Sequence, residues 1–118
     1  MRAASSTIKP SAPGLTDLEL LNRRSARLKL KWTSKAHDDL SRLHAFLAKV
    51  NPKAAARVVR ALVAAPARLP AQPRIGETLD EFEPRDVRRI FVGPYEIRYE
   101  IRKSTLYVLR LWHTREER

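Results

Sequence analysis

The 118-residue sequence has no cysteine, one methionine, three glycines and an aromatic content of 7%. Without cysteine there is no disulfide scaffold, no thiolate zinc site and no thiol nucleophile. His37, His44 and His113 are too few and too scattered to argue for a histidine-only metal centre. No apolar run approaches the ~20 residues of a membrane span, and no N-terminal segment reads as a secretory signal. Neither a phosphate loop nor a ligand cluster is present, so no cofactor is expected. Acids are also scarce. Thirteen Asp and Glu oppose 24 Lys and Arg, for a net charge of +11. That surplus attracts polyanions or acidic proteins. Charge alone does not choose among nucleic acid, ribosome, anionic membrane and acidic protein.

The length suits one small domain with a compact core, and a hydrophobic content of 43% places it among folded chains. Residues 1–27 read as a flexible basic extension with five basic and two acidic residues. Pro10, Pro13 and Gly14 interrupt it, and a short helical turn over Leu15–Leu21, capped by Thr16 or Asp17, is too brief to stand alone. Residues 28–118 form the expected domain.

Leu28–Trp32 alternates apolar and basic residues, the period of a half-buried strand. Thr33 and Ser34 then offer helix caps, with Asp38 and Asp39 expected in a first turn that favours negative charge. Ala36, Leu40, Leu43, Leu47 and Val50 recur at helical spacing and form one apolar stripe. Asn51-Pro52 pairs a preferred cap with a residue suited to the first helical position. It opens a second helix with Ala55, Val58, Val59, Leu62 and Val63 on one face, ended or kinked by Pro66. The short junction makes a helical hairpin. A long connection follows from Leu69 to Pro84. Strands are expected at Val87–Val92, Tyr95–Arg102 and Thr105–Trp112, joined by tight turns at Gly93-Pro94 and Lys103-Ser104. The fold class is therefore α+β: an N-terminal strand and an antiparallel helical hairpin packed on one face of a small antiparallel sheet, in the order β-α-α-β-β-β.

The hairpin covers one sheet face, assigned to Ile90, Val92, Tyr95, Ile97, Tyr99 and Ile101. The other face collects Arg89, Arg98, Arg102 and Arg110 with Glu96 and Glu100. For Arg102 and Glu100, cross-strand pairing and solubility are sufficient purposes. Arg89, Arg98 and Arg110 lie on adjacent strands, and left bare they would form a positive patch for phosphates or carboxylates. Trp112 suits either the core or a stacking surface. His113 has the pKa range of a general acid or base; no triad or ligand spacing accompanies it, and hydrogen bonding or stacking is the simpler role. His37 and His44 read as surface or boundary residues, and Tyr95 and Tyr99 as packing residues whose hydroxyls seek partners at the edge.

The run Lys31-Trp32-Thr33 with Ala36, Asp39 and Leu40, followed by Asn51-Pro52 with Ala54-Ala55, resembles the toxins of the RelE/ParE superfamily of bacterial toxin–antitoxin pairs. Arg88-Arg89-Ile90 with Val92, Tyr95, Ile97 and Tyr99, and the ending from Val108 to Arg115, match the same family's sheet. The resemblance covers residues 28–118 and implies the fold already described. It also implies two possible mechanisms on one scaffold. RelE-like members cleave messenger RNA on the ribosome; ParE-like members block DNA gyrase without hydrolysis. On the nuclease branch His113, Arg115, Arg98 and Arg89 would be catalytic. That branch has an arginine after the aromatic of the Gly-x-Tyr turn, where this chain has Glu96, and the departure favours the ParE-like reading. There Arg89, Arg98, Arg110, Trp112, His113 and Arg115 would bind the target. Both branches imply a cognate antitoxin, a hetero-oligomeric complex and a cytoplasmic location with no membrane partner. A weaker alternative is a non-toxic basic protein that accompanies nucleic acid.

Overall fold

Thr33 ends the first strand and starts the first helix with one side chain. Its Oγ1 accepts the Ala36 N–H at 3.0 Å, the N-cap arrangement the sequence offers. The computed structural model describes residues 28–116. The expected extension over 1–27, with its helical turn and caps, lies outside the described residues.

Strand β1 spans Lys29–Trp32, helix α1 Ser34–Val50 and helix α2 Pro52–Arg68. Asn51 separates the helices and caps α2, its Oδ1 accepting the Ala54 N–H at 3.1 Å with Pro52 at the first position. Pro66 does not stop α2. It is buried inside the helix, which runs two residues further before a 3₁₀ turn over Leu69–Ala71. A two-residue strand β2, Glu77–Thr78, and a 3₁₀ turn over Asp80–Phe82 give the long connection more order than its composition suggests. Strands β3 (Asp86–Val92), β4 (Tyr95–Arg102) and β5 (Thr105–His113) follow. Gly93 takes a φ of +56° in the β3–β4 turn, where glycine carries no steric cost.

The sheet order is β1-β5-β4-β3-β2. The meander is antiparallel, as expected, but β1 runs parallel to β5, from Lys29 beside Thr105 to Trp32 beside Val108. The sheet is therefore mixed. The reason is topological: two antiparallel helices return the chain to the end from which β1 started, and three meander strands then leave β5 running in the direction of β1.

Ala36, Leu43 and Leu62 meet Tyr95, Ile97, Val108 and Leu111 in the main core, with Ile90 and Val92 at its margin. Tyr99, Leu106 and Leu69 form a smaller cluster with Ile101 beside it. The face assigned beneath the helices is thus the face that is covered. The helical stripes run out sooner than their periodicity predicts. Val50 and Val63 are exposed, because α1 reaches the hairpin tip at Val50 and Val63 turns away from the sheet. The Tyr99 hydroxyl does find partners, accepting the Gly76 N–H at 2.9 Å and donating to the Pro73 carbonyl at 2.7 Å. Burial pushes its phenol pKa up.

Candidate functional site

Of the sequence-predicted residues, Arg110, Trp112 and His113 lie on the upper half of β5, where β1 has already ended. Strand pairing stops at Trp32 and Val108, so the next backbone groups of β5 need other partners. Side chains supply them. The Thr33 hydroxyl donates to the Leu109 carbonyl at 2.9 Å. The Asp39 carboxylate accepts the Leu111 N–H at 2.9 Å. Arg42 reaches the Leu111 carbonyl at 3.5 Å, and Glu116 accepts the His113 N–H at 2.8 Å. Helix α1 and the C-terminal turn therefore continue the sheet edge that β1 leaves unfinished.

Asp39 is central to this arrangement. It is 3% exposed, and two nitrogens of Arg110 grip it at 2.7 and 3.0 Å, with Arg42 at 3.3 Å. Burial opposes its ionisation, but the bonds from Arg110, the Leu111 N–H and Arg42 outweigh it and hold the carboxyl below its ordinary pKa. Asp39 lies beyond the first turn of α1, which carries no acid. Its role is to hold β5, not to complement the helix dipole as the sequence suggested.

On the far side of the sheet the expected open patch is absent. Arg110 is engaged by Asp39. Arg89 donates to Glu77 at 2.9 Å and lies 3.9 Å from Glu96, and Arg98 donates to Glu96 at 3.2 Å. Glu96 and Glu100, the acids that strand alternation places toward solvent, are 1% and 4% exposed. Arg85 binds Glu100 through two bonds of 3.1 and 2.9 Å. The physical reason is the connection between α2 and β3. Its turn at Asp80–Phe82 brings Phe82 over this face, and the Arg98 guanidinium sits 5.4 Å from the Phe82 ring and 4.7 Å from that of Trp112. Arg110 lies 5.1 Å from Trp112 on the same side. Trp112 is buried, as a core reading requires, but among arginines on the far face and not under the helices. Arg102 is exposed, 4.0 Å from Glu100, with its guanidinium 5.5 Å from the Tyr107 ring.

His113 and Arg115 sit elsewhere. With Arg42, Leu43, Phe46, Leu47, Tyr95 and Glu116 they line a cavity of about 500 Å³ between α1, the start of β4 and the end of β5. The His113 ring meets Tyr95 edge-to-face at 5.2 Å, and its Nδ1 accepts the Arg115 N–H at 3.1 Å. Nδ1 is thus an acceptor, and the neutral ring carries its proton on Nε2. Glu116 closes the rim by pairing with Arg42. Burial, with the nearby Glu116 charge, raises the Tyr95 pKa. Phe46 stands at the mouth with 66% exposure, an apolar ring without cover.

The structure thus divides the sequence-predicted set. Arg89, Arg98, Arg110 and Trp112 brace the far face, while His113 and Arg115 line the cavity. Sequence reasoning missed Asp39, Arg42, Phe46 and Glu116. The signal for Phe46 was available, since it interrupts the polar side of α1; the others depend on contacts across the chain. Among the described residues no group of His, Asp and Glu is arranged to hold a metal ion, and no helix is long and apolar enough to cross a membrane.

The model of the family described as the ParE toxin of the type II toxin–antitoxin system, parDE, matches residues 30–118. The chain belongs to this ParE toxin family. No curated protein matches it. Among solved structures, one described as a chromosomal ParDE toxin–antitoxin system from P. aeruginosa superposes with a TM-score of 0.65 at 23% identity. That match covers 75% of this chain and 98% of the other, and at this identity it speaks for the shared fold.

Proposed function

We propose that this ParE-family toxin stops growth by binding a macromolecule, DNA gyrase, and not by cutting RNA. One observation carries the preference: every arginine that a phosphate-cleaving site would draw on from the sheet is engaged by a carboxylate of the same chain. A transition-state oxyanion needs donors aimed at it and not already neutralised. Glu96, standing where the resemblance to nucleases calls for arginine, is the buried acid that engages Arg98. The target-contacting groups are then His113 and Arg115 at the cavity rim, with Arg89, Arg98, Arg110 and Trp112 fixing the strand beneath them. Purified protein should inhibit gyrase supercoiling at near-stoichiometric ratio. Unchanged supercoiling in excess toxin would sink the proposal.

A second reading is ribosome-dependent messenger RNA cleavage by His113, Arg115, Arg98 and Arg89. The adjacency of His113 and Arg115 favours it. Mapping transcript ends after induction separates the two: codon-positioned cuts that vanish in His113→Ala support cleavage.

The neutralising partner is proposed to be a cognate antitoxin with a segment seated in the cavity below Phe46. A cavity of about 500 Å³ lies within the usual size of small-ligand sites, roughly 300–1,000 Å³, and also suits a few apolar side chains of a peptide. Phe46→Asp should abolish co-purification with the protein encoded next to this one while leaving the thermal melt intact. Toxin and antitoxin would meet in the cytoplasm, as a hetero-oligomeric complex.

A further inference from the structure

We propose that the outward face of α2 binds the phosphate backbone of duplex DNA. The helix, PKAAARVVRALVAAPAR, contains four cations and no acid. At about 100° per residue, Lys53, Arg57, Arg60 and Arg68 fall within an arc of roughly 80°. That arc lies opposite the buried Ala55, Leu62 and Pro66, and all four cations are exposed. Ala61, Ala64 and Ala67, also exposed, fill the positions beside them. Small side chains let the helix approach a surface closely while the long cationic ones reach past them.

These cations differ in kind from those of the sheet. Arg85, Arg89, Arg98 and Arg110 each face a carboxylate. Among the described residues, none of the four on α2 has an ion pair or a side-chain hydrogen bond. Like charges at i,i+3 and i,i+4 cost a helix a few tenths of a kcal/mol per pair, and this helix carries such spacings without an internal counter-ion. An external polyanion removes that repulsion. Lys53 to Arg68 spans about 22 Å along the axis at 1.5 Å per residue. One strand of duplex presents a phosphate every ~3.4 Å of its length, so the stripe faces several at once.

The chemistry favours duplex DNA over other polyanions. An amphipathic helix on a membrane sinks its apolar face into lipid, and here that face is occupied by the core. Single-stranded nucleic acid is held largely by stacking on aromatic rings, and α2 has none.

The test is fluorescence anisotropy of the full chain with a labelled mixed-sequence duplex, read from 50 to 200 mM KCl. Four contacts give a slope of log Kobs against log salt near −3.6, at about −0.9 per contact. K53Q/R57Q/R60Q/R68Q should flatten the slope by about 3.6 and weaken binding at least tenfold in low salt. Glutamine keeps helix propensity, and an unchanged circular dichroism spectrum and melt establish that the variant folds. K29Q/K31Q, which removes exposed cations from β1, should leave the slope nearly unchanged. Equal losses in both variants, no binding of the duplex, or binding only to phosphatidylglycerol vesicles would each overturn the proposal. Binding is read on DNA alone, so the outcome is independent of whether gyrase is inhibited.

Discussion

The two halves of β5 are held in different ways. From Thr105 to Val108 the strand pairs with β1 through backbone groups. From Leu109 to His113 its outer edge is completed by Thr33, Asp39, Arg42 and Glu116. Backbone pairing is indifferent to most side chains, because any residue but proline carries both groups. Side-chain pairing depends on one residue per bond. The lower half should therefore tolerate substitution and the upper half should not, although both belong to one strand. The residues proposed to contact the target lie at the sensitive end.

The largest loss of stability is expected from Asp39→Ala. It leaves the buried Leu111 N–H without its acceptor, which costs about 1–3 kcal/mol, and the partly exposed Arg110 pair adds no more than about 1 kcal/mol. Urea denaturation should show that loss. A change under 1 kcal/mol would mean that water or Glu116 replaces the carboxylate. A titration sharpens the same point. The native pKa of Asp39 is lowered from an unfolded value of about 3.9. Its contribution is therefore fully present above about pH 4 and is lost as pH falls through the lower native value. Asp39→Asn should remove that acid-side slope. Equal slopes in both proteins would place the acid lability elsewhere.

Thr33→Val comes next, because one hydroxyl serves both the Ala36 N–H and the Leu109 carbonyl. A loss of about 1–2 kcal/mol is expected from the cap and the strand bond together, again by urea denaturation. Glu116→Ala should cost no more than about 1 kcal/mol, since its pair with Arg42 is partly exposed. Its effect should shrink in high salt. At the opposite end of the scale, Lys31→Ala on the backbone-paired half should stay within about 0.5 kcal/mol of wild type. A larger cost there would erase the distinction between the halves.

Much of the scaffold could be read from local pattern. Strict alternation from Tyr95 to Arg102 corresponds to β4 over the same residues, and Thr33 and Asn51 cap as their chemistry suggests. These features depend on residues within a few positions of each other. The site was less legible. Asp39 and Arg110 lie 71 positions apart, and nothing local to either distinguishes a clamp from a surface charge. Glu96 and Glu100 read as solvent-facing because alternation reports which side of a sheet a residue takes, not what covers that side. The connection carrying Phe82 and Arg85 supplied the cover, and a proline-rich stretch of irregular backbone has no period from which to infer that.

Sequence by itself determined the order of elements, the face that the helices bury and the excess of positive charge, because each follows from composition or short-range periodicity. Tertiary structure decided which cations remain available. Coulomb energy depends on distance, and only folding brings Asp39, Glu77, Glu96 and Glu100 within reach of the sheet arginines while leaving those of α2 without a carboxylate.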